Sequence, residues 1–232
     1  MLARGPSKVV IEGGTHNQAA PPYDFIARTF VPLVERMGPK VSLRLERYGF
    51  YPAGGGRFCA EIEPVVDLTP IHLAARGKIS TRRVIAIVAN LPRHIAQREV
   101  ETAAGMLTWG PECHVIEAIR DSAGPGNVTM VELGSAGVTA IFTAFGQLGV
   151  SAEKVADSAA REAREYLVSK ALACEHLADQ LLLPMAIAGA GSFTAVKLNL
   201  HARTNMEVIG KFLSVRFEIS AEDGYERVTV TK

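Results

Sequence analysis

One histidine near the C-terminal end of the chain stands among polar residues that suit phosphate chemistry. Asp179 and Gln180 precede His201, and Arg203 and Asn205 follow it. An imidazole is one of the side chains that act as covalent nucleophiles, and cations and amide donors around it are typical of a site that handles a phosphate. A lone histidine at the end of a strand is more often a satisfied surface or core residue. The residue types alone leave both interpretations open.

The elements around this histidine are readable from the pattern of residues 175–205. A polar cluster from His176 to Gln180 changes into an apolar run in which Leu177, Leu181 and Met185 share one helical face. The glycines at 189–191 predict the end of that helix, and residues 193–200 read as a strand ending on His201. A helix, a tight turn and a strand would bring the polar cluster of residues 176–180 and His201 to the same end of a packed helix–strand pair.

Three motifs resemble the RNA 3'-terminal phosphate cyclase family. The first is His176-Leu177-Ala178-Asp179-Gln180, similar to that family's ATP-contacting pentapeptide, and the family's catalytic histidine lies twenty-five positions after its first residue, where this chain has His201. The other motifs are Gly13-Gly14-Thr15-His16-Asn17 running on to Pro21-Pro22-Tyr23-Asp24-Phe25, and Tyr48-Gly49-Phe50-Tyr51-Pro52-Ala53-Gly54-Gly55-Gly56. Long motifs in one order are far more specific than a single glycine pattern. The resemblance runs from about Gly5 to the C-terminus and includes the Gly124-Pro125-Gly126-Asn127 turn.

The resemblance implies an ATP-dependent ligase that converts an RNA 3'-phosphate into a 2',3'-cyclic phosphate. In that scheme His201 attacks the α-phosphate of ATP to form a covalent histidine-AMP adduct, AMP passes to the RNA end, and the 2'-hydroxyl displaces it. The residues expected to hold ATP are His176, Leu177, Ala178, Asp179 and Gln180. A divalent metal, Mg²⁺, would accompany ATP, although the sequence names no ligand for it.

Two further residues are substrate-binding candidates with structural alternatives. Asp24 lies in the first turn of a predicted helix, where a carboxylate is favourable for the helix dipole, or it serves the site. Arg203 has two interpretations: it offsets the negative charge of a bound phosphate, or it is an ordinary surface cation.

Two rival functions stay open at this stage. One is a non-catalytic cyclase-like factor in RNA processing, against which the intact pentapeptide and histidine speak. The other is an inactive fragment, because the family's chains carry a further N-terminal portion before the strand that starts near Val9. The absence of that portion would leave a sheet edge open.

Composition bounds the class of protein. The 232 residues are 48% hydrophobic with a mean hydropathy of +0.15, which indicates a folded chain with an ample core. The net charge of +1 gives no global basic signature, so any RNA contact must be local. The three scattered cysteines indicate free thiols in a reducing compartment. No apolar run reaches membrane-spanning length. On both grounds we expect a cytoplasmic protein. The oligomeric state is not readable from the sequence.

The order of elements predicts an α+β fold. Strands are expected at 9–12, 41–47, 58–62, 82–89, 114–119, 128–133, 138–145, 215–220 and 228–231, and helices at 23–37, 92–107, 152–169 and 203–212. Asp223-Gly224 predicts a hairpin turn. The family resemblance implies a large domain of repeated βαβαββ-type units, residues 1–71 and 174–232, with a small α/β domain, residues 72–173, inserted into it. The change in residue pattern that begins after Pro64 agrees with that division.

Overall fold

The computed structural model describes residues 1–18, 20–222 and 224–232, and its α+β architecture confirms the expected fold class. The helices are α1, built from an α-helical Tyr23–Phe25, a π-helical Ile26–Phe30 and an α-helical Val31–Glu35, then α2 (Arg93–Leu107), α3 (Ala152–Val168), α4 (Glu175–Ala188) and α5 (Leu200–Phe212), with a 3₁₀ turn at Pro111–Cys113. The strands are β1 (Ser7–Gly13), β2 (Lys40–Arg47), β3 (Gly56–Glu63), β4 (His72–Leu73), β5 (Ile79–Ala89), β6 (His114–Ile119), β7 (Gly126–Ser135), β8 (Thr139–Phe145), β9 (Gly191–Ala195), β10 (Arg216–Glu222) and β11 (Tyr225–Thr231). Among the described residues, no helix is both long and apolar enough to span a membrane.

The strands form three sheets of three or four strands each. The N-terminal sheet has the antiparallel order β1-β3-β2, and the C-terminal sheet has the order β10-β11-β9-β4, with only the β9–β4 pair parallel. The middle sheet has the order β6-β5-β7-β8, with β5 and β6 parallel. Residues 84–89 of β5 are all buried, as their unbroken apolar run predicts for a central strand.

The middle sheet and helices α2 and α3 lie within residues 72–173, the segment that the resemblance implies is an inserted domain and that is called the inserted block below. The two helices pack on each other, α2 also lies against β5 and β6, and α3 lies against β8. The alanines of α3 give it a flat buried stripe, from Ala152 through Ala163, while its charged residues face solvent. Its N-cap is the predicted one, because the Ser151 side chain accepts a hydrogen bond from the Lys154 N–H.

Strand β9 fixes both ends of the inserted block. On the way into the block, β4 pairs with β9 in parallel, His72 opposite Ser192. On the way out, Ala173 donates its N–H to the Thr194 carbonyl and accepts the Val196 N–H. His72 and Leu73 therefore belong to the C-terminal sheet, although the sequence placed them at the start of the inserted block.

The predicted end of the strand and the predicted start of the helix near His201 were both wrong. Strand β9 ends at Ala195 instead of continuing through Leu200, and α5 begins at Leu200 rather than at Arg203. The Asn199 side chain accepts the Ala202 N–H at 2.8 Å, and this cap starts the helix three residues earlier than the apolar spacing suggested. The predicted hairpin turn at Asp223-Gly224 involves Asp223, which lies outside the described residues.

A charged contact joins α1 to the inserted block. Arg28 reaches Glu132 of β7 at 2.6 Å and also contacts Asp24 one turn earlier in its own helix. Glu132 exposes only 6% of its side chain, so its charge is largely withdrawn from water. Arg28 therefore bridges two poorly solvated carboxylates, each of which has one further partner: Arg83 lies 3.6 Å from Glu132 and His16 lies 2.9 Å from Asp24.

We predict that Arg28→Met lowers the free energy of unfolding by about 2–3 kcal/mol, because it leaves Asp24 and Glu132 without their common partner. Urea denaturation at pH 7 measures the change. Lys40→Met is the matched control, since Lys40 and Glu63 form a pair with 78% and 65% exposed side chains, and it should leave the midpoint unchanged. Equal midpoints for the two variants would contradict this role of Arg28.

Candidate active site

The C-terminal half of the candidate site is built by two consecutive helices. Helix α4 carries the pentapeptide and ends at Gly189, whose positive φ of 78° terminates the helix where the sequence predicts. After β9 the chain enters α5, and His201 lies in its first turn. Helices α4 and α5 pack against each other, so the helix–turn–strand–helix segment brings the pentapeptide and the histidine to one surface.

Asp179 and His201 line the same cavity. Its volume is about 410 Å³, and its lining residues are Asp179, Leu200, His201, Thr204, Asn205 and Val208. The Asn205 side-chain amide donates to Asp179 Oδ1 at 3.0 Å, which holds the carboxylate at the edge of the cavity. The imidazole of His201 is exposed, as a nucleophile that meets a dissolved substrate must be. The first-turn N–H groups of α5 favour an anion at this end of the helix.

The other members of the pentapeptide have different environments. Leu177 and Ala178 are fully buried and pack in the core, so any contribution of theirs to a nucleotide site is made by backbone or by position. His176 is exposed, and its ring meets Phe25 of α1 edge-on, with centroids 6.3 Å apart. Gln180 Oε1 is buried and, within the described part of the chain, has no hydrogen-bond partner.

Arg203 lies beside the histidine but is already paired. Its guanidinium donates to Glu226 Oε1 at 2.8 Å, and the other oxygen of that carboxylate accepts the Leu198 N–H. A phosphate at this position would have to compete with Glu226. The binding role predicted for Arg203 stays a prediction.

The two glycine motifs pack against each other and form one unit. The N–H groups of Thr15 and His16 both donate to the Gly49 carbonyl, and the Gly49 N–H donates to Thr15 Oγ1. A Cβ at Gly49 would lie 2.3 Å from the Gly56 nitrogen and 2.4 Å from the Gly13 oxygen, so the backbones meet too closely for any side chain. Close backbone packing explains why glycine occupies positions 49 and 56.

The arginines that bracket the triple glycine are engaged with neighbouring groups. Arg57 pairs with Glu46 and Glu12, and Arg47 donates to the Gly55 carbonyl. The charge of Arg57 is therefore offset by two carboxylates, whereas the contact of Arg47 is with a neutral carbonyl.

Asp24 lies in a second polar cluster, apart from His201. His16 is fully buried, with its ring 5.0 Å from that of Tyr48, and its two nitrogens contact Thr15 Oγ1 at 2.8 Å and Asp24 Oδ2 at 2.9 Å. Arg28 contacts the other oxygen of Asp24. Burial by itself raises the pKa of Asp24, but the His16 hydrogen bond and the Arg28 charge outweigh it and bring that pKa below its ordinary value.

Sequence reasoning missed the long-range polar contacts. The Arg28–Glu132 pair and a buried Glu99–Asn127 pair in the inserted block join residues 104 and 28 positions apart, and no local pattern marks them. Glu99 lies four residues after Ile95 and four before Ala103, and this spacing is a signal that could have placed it on the buried face of α2. Within the described ranges, no group of three His, Cys, Asp or Glu side chains is placed to hold a metal ion.

Comparison with known proteins gives concordant matches. The family model described as RNA 3'-terminal phosphate cyclase matches residues 1–219. The chain is 58% identical to an RNA 3'-terminal phosphate cyclase of Koribacter versatilis strain Ellin345, over 100% of this chain and 65% of that protein. It is 44% identical to one of Pseudomonas aeruginosa strain UCBPP-PA14, over 100% of this chain and 68% of that protein. The chain thus spans about two thirds of the length of these relatives.

We predict that Asp24→Asn destabilises the fold by about 2 kcal/mol at pH 7, because a charge-assisted hydrogen bond and an ion pair are lost. A carboxyl whose pKa is lowered by folding stabilises the fold above its ordinary pKa, 3.8, and loses that contribution as the pH falls through the lowered value. The difference between wild type and variant should therefore shrink below pH 3.8 in urea titrations.

Asp157→Asn serves as the control, because Asp157 pairs with Arg161 on an exposed face of α3. It should give a small difference with little dependence on pH. A difference for Asp24→Asn that is constant from pH 7 to pH 3 would contradict the assignment.

Proposed function

The chain belongs to the RNA 3'-terminal phosphate cyclase family, and from this premise we propose that it takes part in the ATP-dependent conversion of an RNA 3'-phosphate into a 2',3'-cyclic phosphate. The proposed nucleophile is His201, and the proposed nucleotide site is the cavity that it shares with Asp179.

The observation that carries this proposal is the meeting of pentapeptide and histidine at one cavity. These residues are twenty-odd positions apart in sequence and belong to different helices, α4 and α5, yet Asp179 and His201 line the same space and Asn205 bonds to Asp179. A surface histidine with no function would not need a carboxylate held beside it by a dedicated amide. An adaptor with the same fold has no chemical need for this arrangement.

The first step would be nucleotidyl transfer to the imidazole. An unprotonated ring nitrogen of His201 attacks the α-phosphorus of ATP, a P–N bond forms, the bond from that phosphorus to the bridging oxygen breaks, and pyrophosphate leaves. The exposure of His201 suits this step, because the incoming phosphorus must approach the nitrogen in line with the leaving oxygen.

The later steps follow from leaving-group chemistry. An oxygen of the RNA 3'-phosphate attacks the same phosphorus, the P–N bond breaks, and the RNA end carries AMP through a phosphoanhydride. The 2'-hydroxyl then attacks the 3'-phosphorus, loses its proton, and AMP leaves as the ring closes. A phosphate monoester expels oxide poorly, whereas the adenylylated end expels AMP, and this difference is the reason for the use of ATP.

The described residues fit ATP better than they fit its metal. A cavity of about 410 Å³ and the first turn of α5 offer space and N–H donors for a nucleotide, whereas Gln180 is not among the residues that line this cavity. The described residues supply no set of three His, Cys, Asp or Glu side chains for a magnesium ion.

We predict that replacing both Asp179 and Gln180 by Ala weakens ATP binding about tenfold, since hydrogen bonds to charged groups are worth roughly 1.5–3 kcal/mol. Isothermal titration calorimetry gives the affinity, and far-UV circular dichroism checks the fold. A double replacement of Asp157 and Gln97, both on exposed helix faces, is the matched control. Unchanged ATP affinity in the Asp179 and Gln180 variant would remove these residues from the site.

We further predict that label from α-³²P-ATP stays on the chain through denaturation and is absent from His201→Asn. A phosphoramidate is labile in mild acid and stable in alkali, so the adduct should vanish at low pH and persist in base. His94→Asn, which alters another exposed histidine, should label like wild type. Labelling of His201→Asn at the wild-type level, or no acid-labile label on wild type, would refute His201 as the nucleophile.

A further inference from the structure

A second cavity, of about 430 Å³, lies between the N-terminal segment and the inserted block. One wall comes from Phe50, Tyr51 and Pro52 of the second glycine motif, and the opposite wall from the first turns of α2 and the loop after β8. It has no lining residue in common with the cavity at His201. The nucleotidyl-transfer site described above does not use it.

The walls of this interlobe cavity are mostly apolar and aromatic. Phe50, Leu91, Ile95 and Phe145 line it, with side-chain amides such as Gln147 beside them. No lysine or arginine is among its lining residues within the described chain. The lining therefore suits a flat, neutral, apolar-faced group and does not suit a phosphate.

A carboxyl group lies buried at this cavity. Glu99 is 0% exposed, and its Oε2 accepts a hydrogen bond from the Asn127 amide at 2.8 Å. Its other oxygen, Oε1, has no hydrogen-bond partner of good geometry among the described residues, although the Thr129 hydroxyl lies close enough to lower the pKa of this carboxyl. Unpaired buried polar atoms cost free energy, so such an atom in a ligand-sized cavity points to a ligand group that completes it.

Burial also decides what Glu99 offers to a ligand. Withdrawal from water raises the pKa of its carboxyl, against the opposing effects of Asn127, Thr129 and Arg98. A carboxyl accepts hydrogen bonds when it is ionised and carries an O–H donor when it is protonated, so its free oxygen can pair with either kind of polar atom. The group that completes Glu99 is therefore a polar edge atom on an otherwise flat, apolar-faced molecule.

We propose that the interlobe cavity binds a nucleobase of the RNA chain, with Glu99 Oε1 hydrogen-bonded to the base edge and the cavity's aromatic and apolar side chains packing on the base faces. This inference rests on the proposed function, because it takes RNA as the substrate. Unpaired RNA bases are recognised in this way, by aromatic faces together with hydrogen bonds to their edges.

Other occupants fit the lining less well. A phosphate would meet a carboxyl with no cation among the lining residues, and an aliphatic side chain of a protein partner would leave Glu99 Oε1 unpaired. The cavity shares no lining residue with the one at His201, so the base it holds lies away from the proposed nucleophile. Its role is to position the RNA and not to react.

The test uses fluorescence anisotropy with a 5'-labelled RNA octamer that ends in a 3'-phosphate, and the same octamer with one abasic site at each position in turn. With the wild-type chain, one abasic position should weaken binding about tenfold, the loss expected when a stacked base is removed. Glu99→Met should weaken binding of the intact octamer about tenfold and abolish the penalty at that position. Glu99→Gln, which keeps an N–H donor, should stay close to wild type.

Two further variants separate a binding role from a folding role. Val150→Trp fills the cavity from a position that is 40% exposed and leaves the Glu99–Asn127 pair itself unaltered, and it should reproduce the effect of Glu99→Met. Glu101→Met, on an exposed face of the same helix, should bind RNA like wild type.

The outcomes are distinguishable from those of the nucleophile test. Wild-type affinity in both Glu99→Met and Val150→Trp, or equal affinity for all abasic octamers, would overturn this inference and leave His201 labelling unaffected. Weaker binding of free AMP by both variants, with no abasic effect, would assign the cavity to a free nucleotide and overturn the RNA assignment. A wild-type chain that binds no RNA would overturn it as well, and His201 labelling would then report separately on nucleotidyl transfer.

Discussion

Backbone pairing on both edges of β9 is the constraint on which the rest of this structure depends. One edge of this five-residue strand pairs with β11, and the other pairs with β4 and with Ala173. A strand used on both edges cannot shift its register without losing hydrogen bonds to two partners. The same strand therefore fixes the C-terminal sheet and both ends of the segment from residue 72 to residue 173, the predicted insertion.

The candidate active site follows from what lies on either side of β9 in the chain. Helix α4 ends just before this strand and α5 begins just after it, so the strand fixes the distance between the pentapeptide and His201. The Asp179–Asn205 hydrogen bond then sets one helix against the other at the level of the cavity. The polar side chains of the candidate site are held by rigid helices, and the Asn199 cap shortens the loop between β9 and α5.

Local side-chain patterns predict many of the elements. The apolar spacing of α4, its glycine end, the alternation in β2 and the buried run of β5 each predict their element because local side-chain periodicity determines which face is buried. The motifs that mark the family are also local, so the amino-acid sequence alone was enough to name the pentapeptide and His201, the proposed nucleophile. The π-helical turn within α1 and the early start of α5 were missed, because backbone details of one turn depend on caps and contacts rather than on period.

Only the tertiary structure decided which polar residues meet. Asp24 was grouped with the phosphate site by residue type, yet it bonds to His16 and Arg28, and none of the three lines the His201 cavity. Glu99 looked like one more charge on an amphipathic helix, but the packing of α2 on α3 and β5 withdrew it from water and left it facing a cavity. A sequence states how polar a side chain is, whereas its solvation and its partners depend on chain segments far away in the sequence. Those two quantities decide whether a charge is a surface group or a functional one.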